Sequence, residues 1–246
     1  MPRRTRAEMV VRSLFIQATN NFERMMSLGF LFALWPLIRR KYTTPEGRRE
    51  AALRHLSFFN TQPYLANCIL GVVAHAELRG GPGLDIEVAR VKKAMMGAFG
   101  ALGDDLYWAG LMPAAALVTL VIAGVLPQYA IAGVIVGLIA YNVFHGWARI
   151  RLFEIGYRLG RRITTYLKLL RLPRLAQLVK TFVAFALGVL AVVVVWRAGA
   201  GAGWIGGVAA GVAVVVSVII QSFGVRPGLS WYIIAAGAVT FGFFLT

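Results

Sequence analysis

The stretch Leu56-Ser57-Phe58-Phe59-Asn60-Thr61-Gln62-Pro63-Tyr64, with an apolar run over 65–74 directly behind it, decides how this chain is read. Uncharged hydrogen-bonding side chains, Asn60, Thr61 and Gln62, stand between aromatics and a proline. The apolar run is too short to cross a bilayer as a helix, which takes ~20 apolar residues. A polar tripeptide opening a short apolar segment predicts backbone that dips into a membrane and turns back, tolerated only where protein or a water-filled cavity covers it. Such places hold ligands.

Composition sets the same frame. Apolar residues make up 59% of 246 positions and charged ones 15%, with a mean hydropathy of +0.70. Soluble domains run at about 45–50% and 25%, so the chain is expected to be an integral membrane protein. Its net charge of +16 would suit nucleic acid only on a soluble basic face. Here the basic residues fall between apolar runs, as in positively charged cytoplasmic loops, and no nucleic-acid partner is expected. The single cysteine, Cys68, excludes an internal disulfide and a cysteine metal cluster and reads as a small buried hydrophobe. Met1-Pro2-Arg3-Arg4 leads into no short apolar region with a cleavage site, so no cleaved signal peptide is expected.

Working outward, residues 9–42 carry an amphipathic pattern. Ser13, Gln17, Asn20 and Arg24 fall on one side of a helical wheel with Asn21 close by, opposite Leu14, Ala18, Phe22 and Met25. Thr44-Pro45 predicts an N-cap with proline at the first helical position, opening a polar helix that runs to about Phe59. Gly80-Gly81-Pro82-Gly83 is a breaker, after which Asp85 is expected to cap a second short helix. The glycine-spaced segment 94–108, ending in Gly103-Asp104-Asp105-Leu106-Tyr107-Trp108, lacks the lysine and the preceding strand of a phosphate loop and predicts a second membrane-dipping hairpin. Spans are expected over 110–125, 129–144, 181–196, 203–222 and 229–245, with Leu126-Pro127-Gln128 as an uncharged outer turn. The arginine- and lysine-rich stretch 149–180, relieved only by Glu154, predicts a cytoplasmic loop. The fold class is thus all-α and membrane-embedded: N-terminal amphipathic helices over 1–42, two re-entrant hairpins within 43–108, and about five spans over 109–246.

Catalytic chemistry finds no footing. His55, His75 and His145 stand at no metal spacing and beside no serine or cysteine nucleophile; no metal, cofactor or catalytic residue is expected. Asp104 and Asp105 are sharper, since a carboxylate inside a membrane is expensive, although both also suit the start of a following helix. Amides together with Trp108, Tyr107, Tyr64 and Phe59 are what a sugar pocket requires. Hydroxyls need groups that both donate and accept, and the C–H face of a sugar ring rests on an aromatic.

These residues carry a resemblance. Gln17-Ala18-Thr19-Asn20-Asn21-Phe22-Glu23-Arg24-Met25, Leu28-Gly29-Phe30, Arg54-His55-Leu56 with Phe58 through Tyr64, and Ile69-Leu70-Gly71-Val72 fall in one order. Lys92, Met96-Gly97, Gly103-Asp104, Trp108, Phe153, Gly156-Tyr157 and Gly160 continue it. Over residues 10 to 165 the chain resembles the D component of enzyme II in the mannose/fructose/sorbose class of the bacterial phosphoenolpyruvate-dependent sugar phosphotransferase system. It departs from that pattern at Asp105, where the family usually has proline, at Met112, where an arginine typically precedes the proline, and over 167–203.

The resemblance implies a multi-pass inner-membrane subunit, not itself phosphorylated, that joins a C subunit to form a sugar-conducting unit, trimeric as a pair. Cytoplasmic A and B proteins would supply phosphate to the sugar. The expected sugar-path residues are Asn60, Thr61, Gln62, Gln17, Asn20, Asn21, Asp104 and Trp108, with Glu23 and Arg24 as an ion pair that matters only if both are buried. The alternative is a non-transporting scaffold or sensor that docks cytoplasmic partners on the basic 149–180 loop.

Overall fold

A computed structural model describes residues 1–163 and 174–184. Helix α1 (Arg3–Arg12) ends in a single 3₁₀ turn; α2 (Ser27–Lys41), α3 (Pro45–His55) and α4 (Ala66–Arg79) follow. Helix α5 (Leu84–Gly103) runs without a break through a π-helical stretch (Asp104–Leu111) into α6 (Met112–Val125), and a short turn leads to α7 (Ala130–Leu159). Residues 174–184 are helical. The described residues form no sheet, only isolated bridges from Met25 to Asn21 and to Phe59.

Local chemistry explains several boundaries. Thr44 Oγ1 accepts the Gly47 N–H at 3.2 Å with Pro45 behind it, the predicted cap of α3. Helix α2 closes on Arg39, Arg40 and Lys41, cations suited to the negative end of the helix dipole. Gly83, at φ +75°, precedes α5. Asp85 therefore lies inside the first turn instead of capping it, together with Glu87.

Three expectations are corrected. The helical wheel through Ser13, Gln17, Asn20 and Arg24 does not form: residues 16–19 and 22–24 are turns, and Asn21 and Met25 form isolated bridges. Asn21 Oδ1 accepts the N–H groups of Glu23 (3.1 Å) and Arg24 (2.8 Å), offering the backbone an alternative to helix. Met25 takes a left-handed φ of +51°, and Met26 donates its N–H to Phe59 O at 2.8 Å. Second, 94–108 does not turn back. Its glycines stay helical, and α5 to α6 forms one apolar helix over Leu84–Ala123. Third, the spanning helices are longer than expected. Leu84–Ala123 and Pro127–Leu159 are the two described helices long and apolar enough to cross a membrane, so 149–159 belongs to α7 and not to a loop. The turn at 126–129 between them stands as predicted. The later expected spans, from residue 185 on, and positions 164–173 of the basic loop lie outside the described residues.

The chain divides into two compact units. Unit 1 comprises Met1–Ala115 and Leu138–Lys180, and unit 2 comprises Ala116–Gly137 and Thr181–Thr246. At the centre of unit 1 is α4, buried from Ala66 to Glu77 except at His75, with Cys68 sealed inside. It crosses α7 backbone to backbone. A Cβ on Gly71 would strike the Phe153 carbonyl and stand 2.7 Å from Tyr157 N, and a Cβ on Gly156 would strike the Cys68 carbonyl. Small residues at such crossings let dispersion forces act over a short distance, the main attraction between helices in lipid. Arg6 reaches Glu154 at 2.7 Å and fastens α1 to the same helix.

Candidate functional site

The stretch that opens the sequence reading is built into the wall of α5. Gln62 Oε1 accepts the backbone N–H groups of Tyr64 (2.7 Å) and Leu65 (3.0 Å), so its side chain caps α4, the helix that follows. Thr61 donates to the Met96 carbonyl at 3.0 Å. A Cβ on Gly103 would stand 2.6 Å from Gln62 Cγ, so at that position the stretch packs where a side chain would otherwise stand. Thr61 and Gln62 are buried, and Asn60 stays exposed. The Thr61 hydroxyl and the Gln62 oxygen are occupied by structure, the buried Gln62 Nε2 is unpartnered, and Asn60 is open.

Tyr64, delivered by that cap, is the hub of an aromatic cluster. Its ring lies 4.0 Å from the His145 ring, 4.8 Å from Tyr107, 5.8 Å from Trp108 and 6.4 Å from Tyr141, centre to centre. Tyr141 donates to the Tyr64 hydroxyl at 3.3 Å. The Arg149 guanidinium lies 5.1 Å above the same ring, donates to Ser13 O at 2.7 Å and to His145 Nε2 at 2.8 Å, and is 4% exposed. No carboxylate meets it among the described residues; the tyrosine face and the carbonyl stabilise its charge. The bond from Arg149 requires an unprotonated His145 Nε2. Tyr141 carries no signal in the sequence, and His145 stands there at no metal spacing and beside no nucleophile. Arg149 had a signal, since an arginine within an apolar helix is a functional candidate, but it was grouped with the basic residues that follow.

The other expected site residues separate. Gln17, Asn20 and Asn21 are exposed in the turn after α1, on the segment whose end pairs with Phe59. Glu23 and Arg24 do pair, at 3.1 Å, but their side chains are 78% and 49% exposed, so the burial condition is not met. Asp104 is exposed, beside Gly103, and Trp108 is 39% exposed. Asp105 pairs with Lys180 at 2.7 Å. Among the described residues no three His, Cys, Asp or Glu side chains converge.

A second polar group ties four helices at one end of unit 1. Glu77 of α4 accepts from Arg54 Nη1 (2.6 Å), Tyr42 (2.8 Å) and His55 Nε2 (2.9 Å), and Lys41 stands 3.8 Å away. Arg54 also pairs with Asp85, and Lys92 donates to His55 O at 3.1 Å. Burial alone would raise the Glu77 carboxyl, but hydrogen bonds from His55, Arg54 and Tyr42 outweigh it and hold the group at about 2. Burial lowers His55 below its usual range against the pull of the Glu77 hydrogen bond. With His55 neutral, Arg54 and Lys41 balance the Glu77 charge.

Comparison with known proteins shows the family. The family described as "PTS system mannose/fructose/sorbose family IID component" matches residues 1–198. The mannose-specific EIID component of Escherichia coli (strain K12) is 35% identical over 154 residues, covering 61% of this chain and 53% of that one. The chain thus spans about half the length of the curated relatives it matches first. A solved structure described as a membrane protein superposes with a TM-score of 0.65 at 30% identity, over 77% of this chain and 70% of the other. The cryo-EM structure of the mannose transporter ManYZ with microcin E492 shares the fold, with a TM-score of 0.60 at 23% identity over 100% of this chain and 97% of its own. The protein is accordingly an all-α protein of the inner membrane. With the match running from residue 1 to 198 of 246, the chain belongs to the IID components of the mannose/fructose/sorbose family of phosphotransferase-system permeases.

Proposed function

We propose that this chain joins a C subunit in the membrane, as a trimer of such pairs, and that together they carry a sugar inward for phosphorylation by cytoplasmic A and B components. The chain itself performs no catalytic step. The observation that carries this reading is the Tyr64 cluster: Tyr64, packed on buried Tyr107 and on part-exposed Trp108, closes the stretch whose one open amide is Asn60. Flat apolar rings next to a group that both donates and accepts are the two things a sugar presents a need for.

In this reading Asn60, Asp104 and Trp108 meet the sugar or the water around it. Thr61 and Gln62 hold the stretch in place. Gln17, Asn20 and Asn21 form the turn beside it and contribute through the partner subunit. The family match and the membrane fold support the pairing with a second membrane protein, and the aromatic cluster supports sugar as the cargo.

The test is uptake of labelled hexoses by cells that express the chain with its C, A and B components. Wild type is expected to accumulate a sugar phosphate, and Asn60→Ala, Asp104→Asn and Trp108→Ala to lower uptake at unchanged membrane abundance. Full uptake in all three variants would remove the site assignment. No uptake of any sugar by wild type would leave the non-transporting scaffold.

A further inference from the structure

A groove of about 460 Å³ lies where α1 meets α2, lined by Arg12, Leu28, Leu31, Phe32, Trp35 and Arg39. The α2 positions recur at helical spacing and form one stripe along its surface, with Leu28 44% and Phe32 45% exposed. From Leu28 to Trp35 the stripe gives roughly 10 Å of apolar floor at 1.5 Å per residue. At one end stands Arg39, in the exposed last turn of α2, which joins no ion pair among the described residues. Arg12 completes the wall, its guanidinium 4.8 Å from the Phe32 ring centre and 2.9 Å from Glu8.

The charges decide what fits. Two guanidiniums and one carboxylate leave the groove with one net positive charge over an apolar floor. Glu8 engages Arg12 through Nη2, which uses one of the five N–H donors of that guanidinium and leaves others to face an anion. A monoanionic phosphodiester joined to an acyl chain matches both the charge and the floor. A zwitterionic lipid brings the same phosphate with a cancelling ammonium. A purely apolar helix would leave Arg39 unmatched. Trp35 stands between the arginine and the aliphatic stripe, the order in which tryptophan favours a membrane interface.

We propose that this groove binds one anionic phospholipid, its phosphodiester held by Arg39 and Arg12 and an acyl chain lying along Trp35, Leu31 and Leu28. The site is separate from the Tyr64 cluster and does not depend on the transport reading.

Trp35 supplies the probe. The full chain is reconstituted in phosphatidylcholine vesicles carrying a minority of lipid brominated on its acyl chains, either phosphatidylglycerol or phosphatidylcholine. The Trp35 share of quenching is the difference between the protein and its Trp35→Phe variant. Brominated phosphatidylglycerol is expected to quench Trp35 well beyond brominated phosphatidylcholine at the same mole fraction. Arg39→Gln should reduce that preference roughly five-fold, the ratio that ~1 kcal/mol per arginine represents, and Arg40→Gln, outside the groove, should leave it unchanged. Native mass spectrometry reads the same site without the tryptophan change: Arg39→Gln should lose one retained phosphatidylglycerol. Equal quenching by both lipids shows bulk lipid only and overturns the proposal. So does an absence of Trp35 quenching by either, which shows the groove covered by protein, or identical lipid retention in wild type and Arg39→Gln.

Discussion

Glu77 accepts a hydrogen bond from the ring of His55 at 2.9 Å, with the two side chains 1% and 0% exposed. The same carboxylate compensates Arg54 and Lys41. Replacing it by glutamine removes the buried anion of the group, leaving only the exposed Asp85 beside Arg54, and leaves partly buried cations facing a neutral amide. Breaking a buried pair in this way costs about 3–5 kcal/mol. We expect Glu77→Gln to lower the unfolding midpoint of the purified protein in detergent by that margin; an unchanged midpoint would show that Asp85 and solvent suffice to balance Arg54.

Acid should weaken the same end of the molecule. The folded state holds His55 below its ordinary 6.5 and Glu77 at about 2 against an ordinary 4.5. In both cases the unfolded chain takes up protons first, so stability is present at high pH and is lost on acidification. The His55 contribution falls away from about pH 6.5 downward, and that of Glu77 between about 4.5 and 2. A His55→Gln variant, which can still donate to Glu77, is expected to flatten the upper part of the curve and keep the lower. A midpoint that rises as pH drops from 7 to 5 would contradict the assignment of a neutral buried His55.

The crossing of α4 and α7 leaves no room for a methyl group. Gly71→Ala and Gly156→Ala each drive a Cβ into a backbone carbonyl of the other helix, where no flexible side chain can yield. Overpacking of this kind costs about 1–3 kcal/mol, occasionally more, and each variant should purify as a less stable species by thermal scanning. Because either one already forces the two helices apart at the same crossing, the double variant should cost less than the sum of the two. Gly97→Ala, with nothing within 4 Å of the added carbon, is the control and should be neutral or mildly stabilising.

Gln62 and Asn60 should part company in experiment. Gln62→Ala removes an acceptor for two N–H groups at the start of α4, a capping loss of about 0.5–2 kcal/mol, and its effect on uptake should follow its effect on stability. Asn60→Ala touches an exposed side chain and should leave the melting curve within about 0.5 kcal/mol while changing uptake. A parallel fall in stability and uptake for Asn60→Ala would make that residue structural as well.

What was legible in the sequence was whatever depends on local chemistry or on composition. The Thr44-Pro45 start of α3, the glycine break after α4 and the turn at 126–129 follow from caps and breakers that act within a few residues. The 94–108 segment stays helical despite glycine's weak helix propensity, and at Gly103 the missing side chain leaves room that Gln62 and Leu65 occupy. The polar pattern over 13–24 fits a wheel that the chain never forms, because a pairing with Phe59, more than thirty residues away, fixes Met26. Tyr141, His145 and Arg149 were invisible as a site for the same reason. Only the fold brings α7 against Tyr64.

The glycine crossing also has a consequence in time. Gly156 is synthesised 85 residues after Gly71 (156 − 71), and at ~5–20 residues per second that interval is roughly 4–17 s. Throughout it α4, the most deeply covered helix of unit 1, has its groove at Gly71 made and its lid not yet made. Asn67 meanwhile lacks the Arg149 carbonyl it will donate to at 3.3 Å, and His75 lacks the Tyr157 carbonyl 2.8 Å from its ring nitrogen. The nascent chain therefore carries an unmatched polar seam at its centre until α7 arrives, and a product stalled before Gly156 would show that seam to whatever surrounds it.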